Sequence, residues 1–244
     1  MTAAALELVD VVAGYGATTV LNGLSLRLQA GERLAIIGRN GVGKTTALRA
    51  VMGLVALTRG RIALDGQDLA GLAPHQRAQR GLGYVPQSRD IFASLSVEEN
   101  LAAGAKRRPR SALDEAYALF PRLAQRRRLP GAQLSGGEQQ MLSVARTLLG
   151  QPRVLLLDEP LEGLAPIIRQ ELLAAFATLG TQSGLSVVIV EQQVQEALAY
   201  ASHAVIMARG AVAHAAPAAE LARDPATLER LVGMAVELNS EDIA

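Results

Sequence analysis

The chain has 244 residues and a formal net charge of +1, with 50% of its residues hydrophobic and 19% charged. This length and an ordinary share of Gly and Pro predict one large α/β domain, or a core with a subdomain, and exclude collagen-like and disordered chains. The absence of Cys excludes disulfides, thiolate metal sites and Cys nucleophiles, while the near-zero charge argues against nucleic-acid binding.

The N-terminus carries no basic region of the kind that begins a signal peptide. No apolar run approaches the roughly 20 residues that are needed to cross a bilayer. We therefore expect a soluble, cytoplasmic protein.

The first 69 residues predict strands and one helix. Hydrophobic alternation indicates antiparallel strands in the first thirty residues, with breaks at 14–16 and at 22–23. Residues 33–37 read as a buried strand that leads into a Gly-rich turn, and residues 44–52 as a helix. A further strand pair is expected within residues 60–69.

The rest of the chain alternates helices with buried strands. Residues 88–128 are charged and helical in pattern, and residues 138–149 place apolar side chains on one helical face. Residues 154–157, 187–190 and 205–207 have the uniform hydrophobicity of parallel strands. We therefore expect an α/β fold with a parallel sheet covered by helices, an antiparallel N-terminal lobe and a helical insert.

The Gly-rich turn at residues 38–45 reads GRNGVGKT, which fits the pattern GxxxxGK[ST] between a strand and a helix. Its backbone N–H groups and the helix N-terminus would form a phosphate site, and its glycines would let the backbone approach closely. Lys44, one of only two lysines in the chain, would reach the outer phosphates, and Thr45 would offer its hydroxyl to Mg²⁺. The alternative, a turn that only caps a helix, is less consistent with this context.

Two acids, Asp158 and Glu159, end the strand at 154–157. Ligands of open α/β sheets bind at the carboxyl ends of the strands. Asp158 suits the role of holding Mg²⁺, usually through water, and Glu159 suits a general base that orients or activates the attacking water. A junction that is merely rich in acids would explain one of them more easily than both.

Residues 134–138 read LSGGE and begin a helix whose N–H groups could form a second anion site. A capping turn alone could look like this. Joined to the other two motifs, however, the segment resembles the signature LSGGQ of the ATP-binding cassette (ABC) ATPases. The resemblance covers nearly the whole chain and implies one nucleotide-binding domain over 1–244. Within this domain, residues 1–87 and 151–244 would form a β lobe and a P-loop NTPase (RecA-like) core. Residues from about 88 to 150 would form a helical subdomain.

The resemblance also implies roles for single residues toward ATP and Mg²⁺. Tyr15 matches the aromatic residue on which adenine stacks, and Gln87 matches the glutamine that reaches Mg²⁺ and the attacking water. The implied nucleotide-binding residues are Tyr15, Gly38, Asn40, Gly41, Gly43, Lys44, Thr45 and Thr46. The implied catalytic residues are Glu159, Lys44, Gln87 and Gln192, and the implied Mg²⁺ ligands are Thr45, Gln87 and Asp158.

Two cassettes of this family pack head to tail, so the resemblance implies that ATP lies between the Lys44 loop of one chain and the Ser135 loop of another. The residues implied to contact nucleotide across that interface are Ser135, Gly136, Gly137 and Glu138.

The chain departs from the family pattern at residues 192 and 165, and at 161–162, where Leu-Glu replaces the more usual Ser-containing pair. Gln192 stands where the family carries a histidine that contacts the γ-phosphate, and glutamine can neither become a cation nor relay a proton. Ala165 stands where many members have Asp. Glu191 with Gln192, and residues 163–166, resemble the cassettes of branched-chain amino acid importers or of their urea and amide relatives. In that subgroup the partner cassette is a different chain that retains the histidine, which implies a heterodimer.

The basic clusters at 106–110 and 126–128 predict a solvated face of the helical subdomain, with attraction to anionic headgroups as a minor role. Residues 91–92 would either line a groove for a short cytoplasmic helix of a membrane partner or pack in the core.

The resemblance therefore implies the ATPase subunit of a bacterial-type importer, peripheral on the cytoplasmic face of the inner membrane. ATP binding would close the cassette pair and hydrolysis would reopen it. Its partners would be the second cassette, polytopic permease subunits and, indirectly, a solute-binding protein, but no nucleic acid. Two alternatives remain open: a soluble non-transport ABC ATPase, and a nucleotide-gated clamp that scarcely hydrolyses ATP.

Overall fold

The structure is a computed structural model that describes residues 4–106, 108–182 and 184–237. Its strands are β1 Ala4–Tyr15, β2 Thr18–Gln29, β3 Arg33–Ile37, β4 Leu57–Leu64, β5 Gln67–Asp68, β6 Leu82–Val85, β7 Val154–Asp158, β8 Ser186–Glu191, β9 His203–Ala208 and β10 Ala211–Pro217. Its α-helices are α1 Lys44–Met52, α2 Pro74–Gln79, α3 Val97–Ala105, α4 Leu113–Leu119, α5 Pro121–Gln125, α6 Gly136–Leu149, α7 Pro166–Gln182, α8 Val194–Tyr200, α9 Ala218–Arg223 and α10 Pro225–Glu237. None of these helices is both long and apolar enough to span a bilayer.

The strands form two sheets. The first is antiparallel, with the strand order β2-β1-β4-β5. The second has the order β10-β9-β3-β8-β7-β6 and is parallel except for β10, which pairs antiparallel with β9. These sheets confirm the α/β fold class with an antiparallel N-terminal lobe that the sequence predicts.

The break expected at residues 22–23 is wrong, because β2 runs straight through it. Gly23 adopts a φ of 76°, and the register between β1 and β2 slips there: Val11 lies opposite Leu24, whereas Val12 lies opposite Asn22. Gly23 is therefore the extra residue of a β-bulge, which bends a strand without ending it. The Asn22 side chain uses the bend to donate to the Arg209 carbonyl at 2.9 Å, joining the two sheets.

The parallel sheet is buried on both faces, which explains its uniformly apolar strands. On one face Leu34 and Leu156 pack toward the antiparallel sheet and α1. On the other face Ala35 and Leu157 join a cluster that continues into the helices between residues 97 and 149. Exceptions to this pattern are Ser186 at the start of β8 and the two buried acids at the ends of β7 and β8. The two acids lie at the site described below.

Lys106, Arg110 and residues 126–128 of the predicted basic clusters are exposed and follow α3 and α5 in the chain, whereas Arg108 is half-buried. Arg110 pairs with Glu98, and Arg126 pairs with Glu138. Arg107 lies outside the described residues. Because surface ion pairs of this kind contribute little, we assign the clusters no part in stability.

Strand order places three strand ends side by side. β8 lies between β3 and β7, with Glu191 opposite Ile37 and Val190 opposite Asp158. The loop that leaves β3 leads directly into α1. The carboxyl edge of these strands therefore faces the N-terminus of α1, where an open α/β sheet binds its ligand.

Candidate functional site

The loop between β3 and α1 curves tightly over the start of the helix. Gly41 and Gly43 have φ values of 83° and 104°, a region that L side chains rarely adopt. At Gly38 an added Cβ would lie 2.7 Å from the Met207 carbonyl oxygen, so only glycine fits. No side chain caps α1, whose first N–H groups are left for an anion.

Lys44 provides the positive charge at the floor of this loop. Its side chain is 4% exposed, and its Nζ donates to the carbonyls of Gly38 at 2.7 Å and Arg39 at 3.1 Å. The ammonium also lies 3.7 Å from Glu159 Oε1. Burial lowers the pKa of Lys44, whereas attraction to Glu159 and Asp158 works in the opposite direction. The structure thus holds a buried cation against two acids.

Asp158 is 1% exposed and receives a hydroxyl on each carboxylate oxygen. Thr45 donates to Oδ1 at 2.9 Å, and Tyr84 donates to Oδ2 at 3.0 Å. Burial raises the pKa of Asp158, and the two hydrogen bonds oppose that rise. Hydroxyl and carboxylate oxygens are ligands that suit Mg²⁺, so the donor set of Thr45 and Asp158 fits this ion.

Across the described part of the chain, no three His, Cys, Asp or Glu side chains cluster as a metal site. An ion held by Thr45 and Asp158, with Gln87 as a further candidate ligand, would therefore take its remaining ligands from phosphate and water, as Mg²⁺ commonly does.

Glu159 follows Asp158 in a left-handed backbone conformation with a φ of 48°. Its Oε2 accepts from Gln87 Nε2 at 3.0 Å and from Gln192 Nε2 at 2.7 Å. Gln87 also donates to Glu162 at 2.6 Å. Burial raises the pKa of Glu159, and the Gln192 hydrogen bond and the Lys44 charge lower it. The carboxylate is thus held between an ammonium and two amides.

One cavity of about 430 Å³ brings most of the predicted residues together. Its predicted lining residues are Asn40, Gly41, Gly43, Lys44, Thr45, Thr46, Gln87, Glu159 and Gln192. Val20 and Glu162 also line it, although the sequence analysis gave neither residue a role at the site.

Tyr15 and the signature segment do not line this cavity. Tyr15 is 45% exposed at the end of β1, where its hydroxyl lies 3.4 Å from Arg49 Nη1. Ser135 and Glu138 form a capping box at the start of α6: the Glu138 N–H donates to Ser135 Oγ at 3.3 Å, and Ser135 N–H donates to Glu138 Oε2 at 2.9 Å. Gly137 packs against Ile168, since a Cβ there would lie 2.8 Å from Cγ2.

Sequence reasoning gave Tyr84 no role and used Glu191 only as part of the subgroup pattern. Glu191 is 1% exposed at the end of β8, and its Oε1 accepts from the Leu161 N–H at 3.0 Å. Burial raises the pKa of Glu191 to about 7. An acid that ends a wholly apolar strand was the signal for Glu191, but no sequence pattern shows that Tyr84 reaches Asp158 from the neighbouring strand.

Comparison with known proteins gives the context for this geometry. A family model described as "ABC transporter" matches residues 21–162. The chain is similar to the high-affinity branched-chain amino acid transport ATP-binding protein BraG of Pseudomonas aeruginosa, with 36% identity over 90% of this chain and 95% of the relative. It is similar to the probable branched-chain amino acid transport ATP-binding protein LivF of Archaeoglobus fulgidus, with 34% identity over 88% and 93% of the two chains.

Relatives with other functions are similarly close. The lipopolysaccharide export system ATP-binding protein LptB of Haemophilus influenzae is 35% identical over 83% of this chain and 86% of the relative. Among solved structures, one described as an ATP binding subunit of an ABC transporter superposes with a TM-score of 0.83 at 27% identity, covering 94% of this chain and 98% of that one.

Proposed function

The chain belongs to the ABC transporter ATP-binding family, and from that premise we propose that it powers the uptake of branched-chain amino acids, or of urea or short amides, through separate membrane subunits. Two observations support this cargo class: the names of BraG and LivF, which match nearly end to end, and the subgroup pattern at residues 163–166 and 191–192. LptB, named for export of lipopolysaccharide, is about as similar, so the cargo depends chiefly on those names and that pattern.

As an ABC ATPase, the chain acts on ATP, and one observation carries our assignment of the reacting centre. Glu159 lies 3.7 Å from Lys44 beside the paired Thr45 and Asp158, all at the phosphate loop. Lys44 and the N–H groups of α1 would bind the phosphates, and Glu159 would orient the attacking water and accept its proton. Thr45 and Asp158, with Gln87 nearby, would hold Mg²⁺, which when bound neutralises charge on phosphate oxygens.

In this scheme the chain contributes position and electrostatics rather than covalent chemistry. Lys44 now donates to the loop's own carbonyls, so an incoming phosphate would compete with those contacts. Gln87 and Gln192 would keep Glu159 turned toward the cavity. Because Gln192 cannot carry a charge, it would donate a hydrogen bond to phosphate or to Glu159 but would not move a proton.

We propose that the nucleotide site is completed by a second cassette. Residues 135–138 lie outside the cavity. At the N-terminus of α6, two glycines present a second set of N–H groups, which supports this proposal. The subgroup pattern further suggests that the mate is a different chain with histidine at the position of Gln192. This arrangement would make ATP binding and pair closure a single event.

We propose that a separate groove receives the membrane partner, with the chain on the cytoplasmic face of the membrane. A cavity of about 380 Å³ between the start of the central sheet and the helices is lined by Met52, Tyr84, Phe92, Lys106 and Arg146, among others. Phe92 is 50% exposed, with the Arg146 guanidinium 4.8 Å from its ring centre, whereas Ile91 packs against the core. We propose that Phe92 alone, rather than residues 91 and 92 together, contacts a cytoplasmic segment of the permease.

The hydrogen bond from Gln192 to Glu159 is also the observation that favours the second candidate, a nucleotide-gated clamp with little hydrolysis. In a clamp, the two amides would hold Glu159 away from water permanently. The soluble non-transport ATPase has no such specific support.

Phosphate release by the wild type and by Glu159→Gln, each with its mate cassette and permease, tests the catalytic assignment. We expect the variant to lose at least about a hundredfold in kcat. Equal low rates would support the clamp and overturn the role of Glu159. Uptake of labelled leucine or urea into vesicles that contain the assembled transporter tests the proposed cargo. If neither compound is taken up, the proposed cargo class is wrong.

A further inference from the structure

The Asp158 carboxylate is held from outside the phosphate loop by a residue that the reaction scheme has not used. Tyr84, near the end of β6, donates its hydroxyl to Asp158 Oδ2 at 3.0 Å, while Thr45 donates to Oδ1 at 2.9 Å. β6 and β7 are paired in parallel, with Tyr84 opposite Leu156, so the phenol reaches along the sheet to the end of the adjacent strand. One oxygen therefore faces the loop and the other is tied to the sheet.

The rest of the Tyr84 side chain is fixed in place. Its ring packs against the apolar cluster around α1 and forms part of the wall of the groove described above. The Arg49 guanidinium lies 3.4 Å from the Tyr15 hydroxyl, and the neighbouring phenols of Tyr15 and Tyr84 raise the pKa of Arg49. Burial and the nearby Asp158 charge raise the pKa of Tyr84 well above its usual range, in keeping with a protonated phenol that donates to Asp158.

We propose that Tyr84 is a positioning residue that fixes the orientation of Asp158 toward Mg²⁺. The inference depends on the proposed role of Asp158. Without the phenol, Oδ2 would be a buried acceptor with no donor, and the carboxylate could rotate away from Thr45. Groups that orient metal ligands in this way typically change metal affinity by about 10–100-fold when they are removed.

The test compares Tyr84→Phe with Tyr200→Phe in the full-length protein. Tyr200 is a matched control because its buried hydroxyl has no hydrogen-bond partner among the described residues. Binding of the fluorescent analogue mant-ATP is titrated in excess Mg²⁺ and again in EDTA, and the thermal midpoint reports folding.

We expect Tyr84→Phe to weaken binding about tenfold in Mg²⁺, with less than twofold change in EDTA, and to raise the Mg²⁺ concentration for half-maximal ATPase by a similar factor. Tyr200→Phe should change neither.

The proposal would be overturned if Tyr84→Phe bound mant-ATP as Tyr200→Phe does. It would also be overturned if Tyr84→Phe lost equal affinity with and without Mg²⁺, because that result would indicate general damage to the nucleotide site. Asp158→Asn separates the two levels of inference. If it leaves the Mg²⁺ dependence intact, the role of Asp158 itself is wrong. If it abolishes that dependence while Tyr84→Phe does not alter it, only the role of Tyr84 fails.

Discussion

Gln192 Nε2 donates to Glu159 Oε2 at 2.7 Å, and this contact ties the departure from the family pattern directly to the proposed general base. The glutamine is therefore not a passive replacement. Its amide stabilises the charged form of the carboxylate and lowers the pKa of Glu159 against the effect of burial.

The first prediction concerns the pH dependence of hydrolysis. In Gln192→Ala the lost hydrogen bond should raise the pKa of Glu159, so the acid limb of the kcat profile should move to higher pH, since the base must be deprotonated. We expect kcat to fall about tenfold at low pH and less at high pH. Phosphate release between pH 5.5 and pH 8.5 measures the effect.

Gln193→Ala is the control for this series, because Gln193 bonds Arg169 rather than Glu159. A uniform drop across all pH values for Gln192→Ala, or the same shift in Gln193→Ala, would contradict the interpretation.

The second prediction concerns stability and Glu191. The pKa of Glu191 in the folded protein is about 7, above the ordinary value of 4.5. Between pH 4.5 and pH 7, Glu191 is therefore protonated in the native state but ionised in the unfolded chain. Stability should therefore fall as pH rises from 4.5 to 7, by on the order of 3 kcal/mol from this group. In Glu191→Gln that contribution should vanish.

Urea unfolding of the two proteins at pH 5 and pH 8 measures the slope. The free energy of unfolding of Glu191→Gln should exceed that of the wild type at pH 8 and approach it at pH 5. A wild type that gains stability relative to the variant on going to pH 8 would show that the Leu161 N–H and its neighbours hold Glu191 ionised.

The success and failure of sequence reasoning here follow from how local each feature is. The loop at 38–45 was predictable because its glycines, Lys44 and Thr45 act within one turn of backbone. Gly23 misled the strand assignment because a bulge and a break share the same residue type, and only pairing with β1 distinguishes them. Tyr84 and Glu191 act through contacts 74 and 30 residues away along the chain, and no spacing pattern encodes such contacts.

The third prediction concerns the packing of α3 on α6. Gly104 lies inside α3, where Ala is normally the better helix former by about 1 kcal/mol. A Cβ at this position would lie 2.1 Å from the Arg146 carbonyl oxygen, so α3 would have to move away from α6. Gly104→Ala should therefore reduce the free energy of unfolding by about 2 kcal/mol or more, despite its helix propensity.

Ala102→Gly, at an exposed position of the same helix, provides the comparison and should cost only about 1 kcal/mol. If Gly104→Ala were instead neutral or stabilising in urea unfolding, the two helices would not approach as closely as the structure places them.

The fourth prediction separates the structural and functional roles of Ser135. Two capping boxes in the chain are nearly identical: Ser96 with Glu99 begins α3, and Ser135 with Glu138 begins α6. In each, the serine Oγ accepts the third N–H of the helix, at 3.2 Å and 3.3 Å respectively. Replacing either serine by alanine should therefore cost a similar amount of stability, about 1 kcal/mol.

Only Ser135→Ala should alter ATP-dependent pairing, because Ser135 alone belongs to the segment proposed to meet the nucleotide of the mate. We expect a several-fold higher ATP concentration for half-maximal pairing, measured by light scattering in the Glu159→Gln background with the mate cassette present. Ser96→Ala should pair like its parent. The two variants should lose similar free energy of unfolding but alter different surfaces. If both serines affect pairing equally, the loss of helix capping explains the effect, and the proposed contact of Ser135 across the interface is wrong.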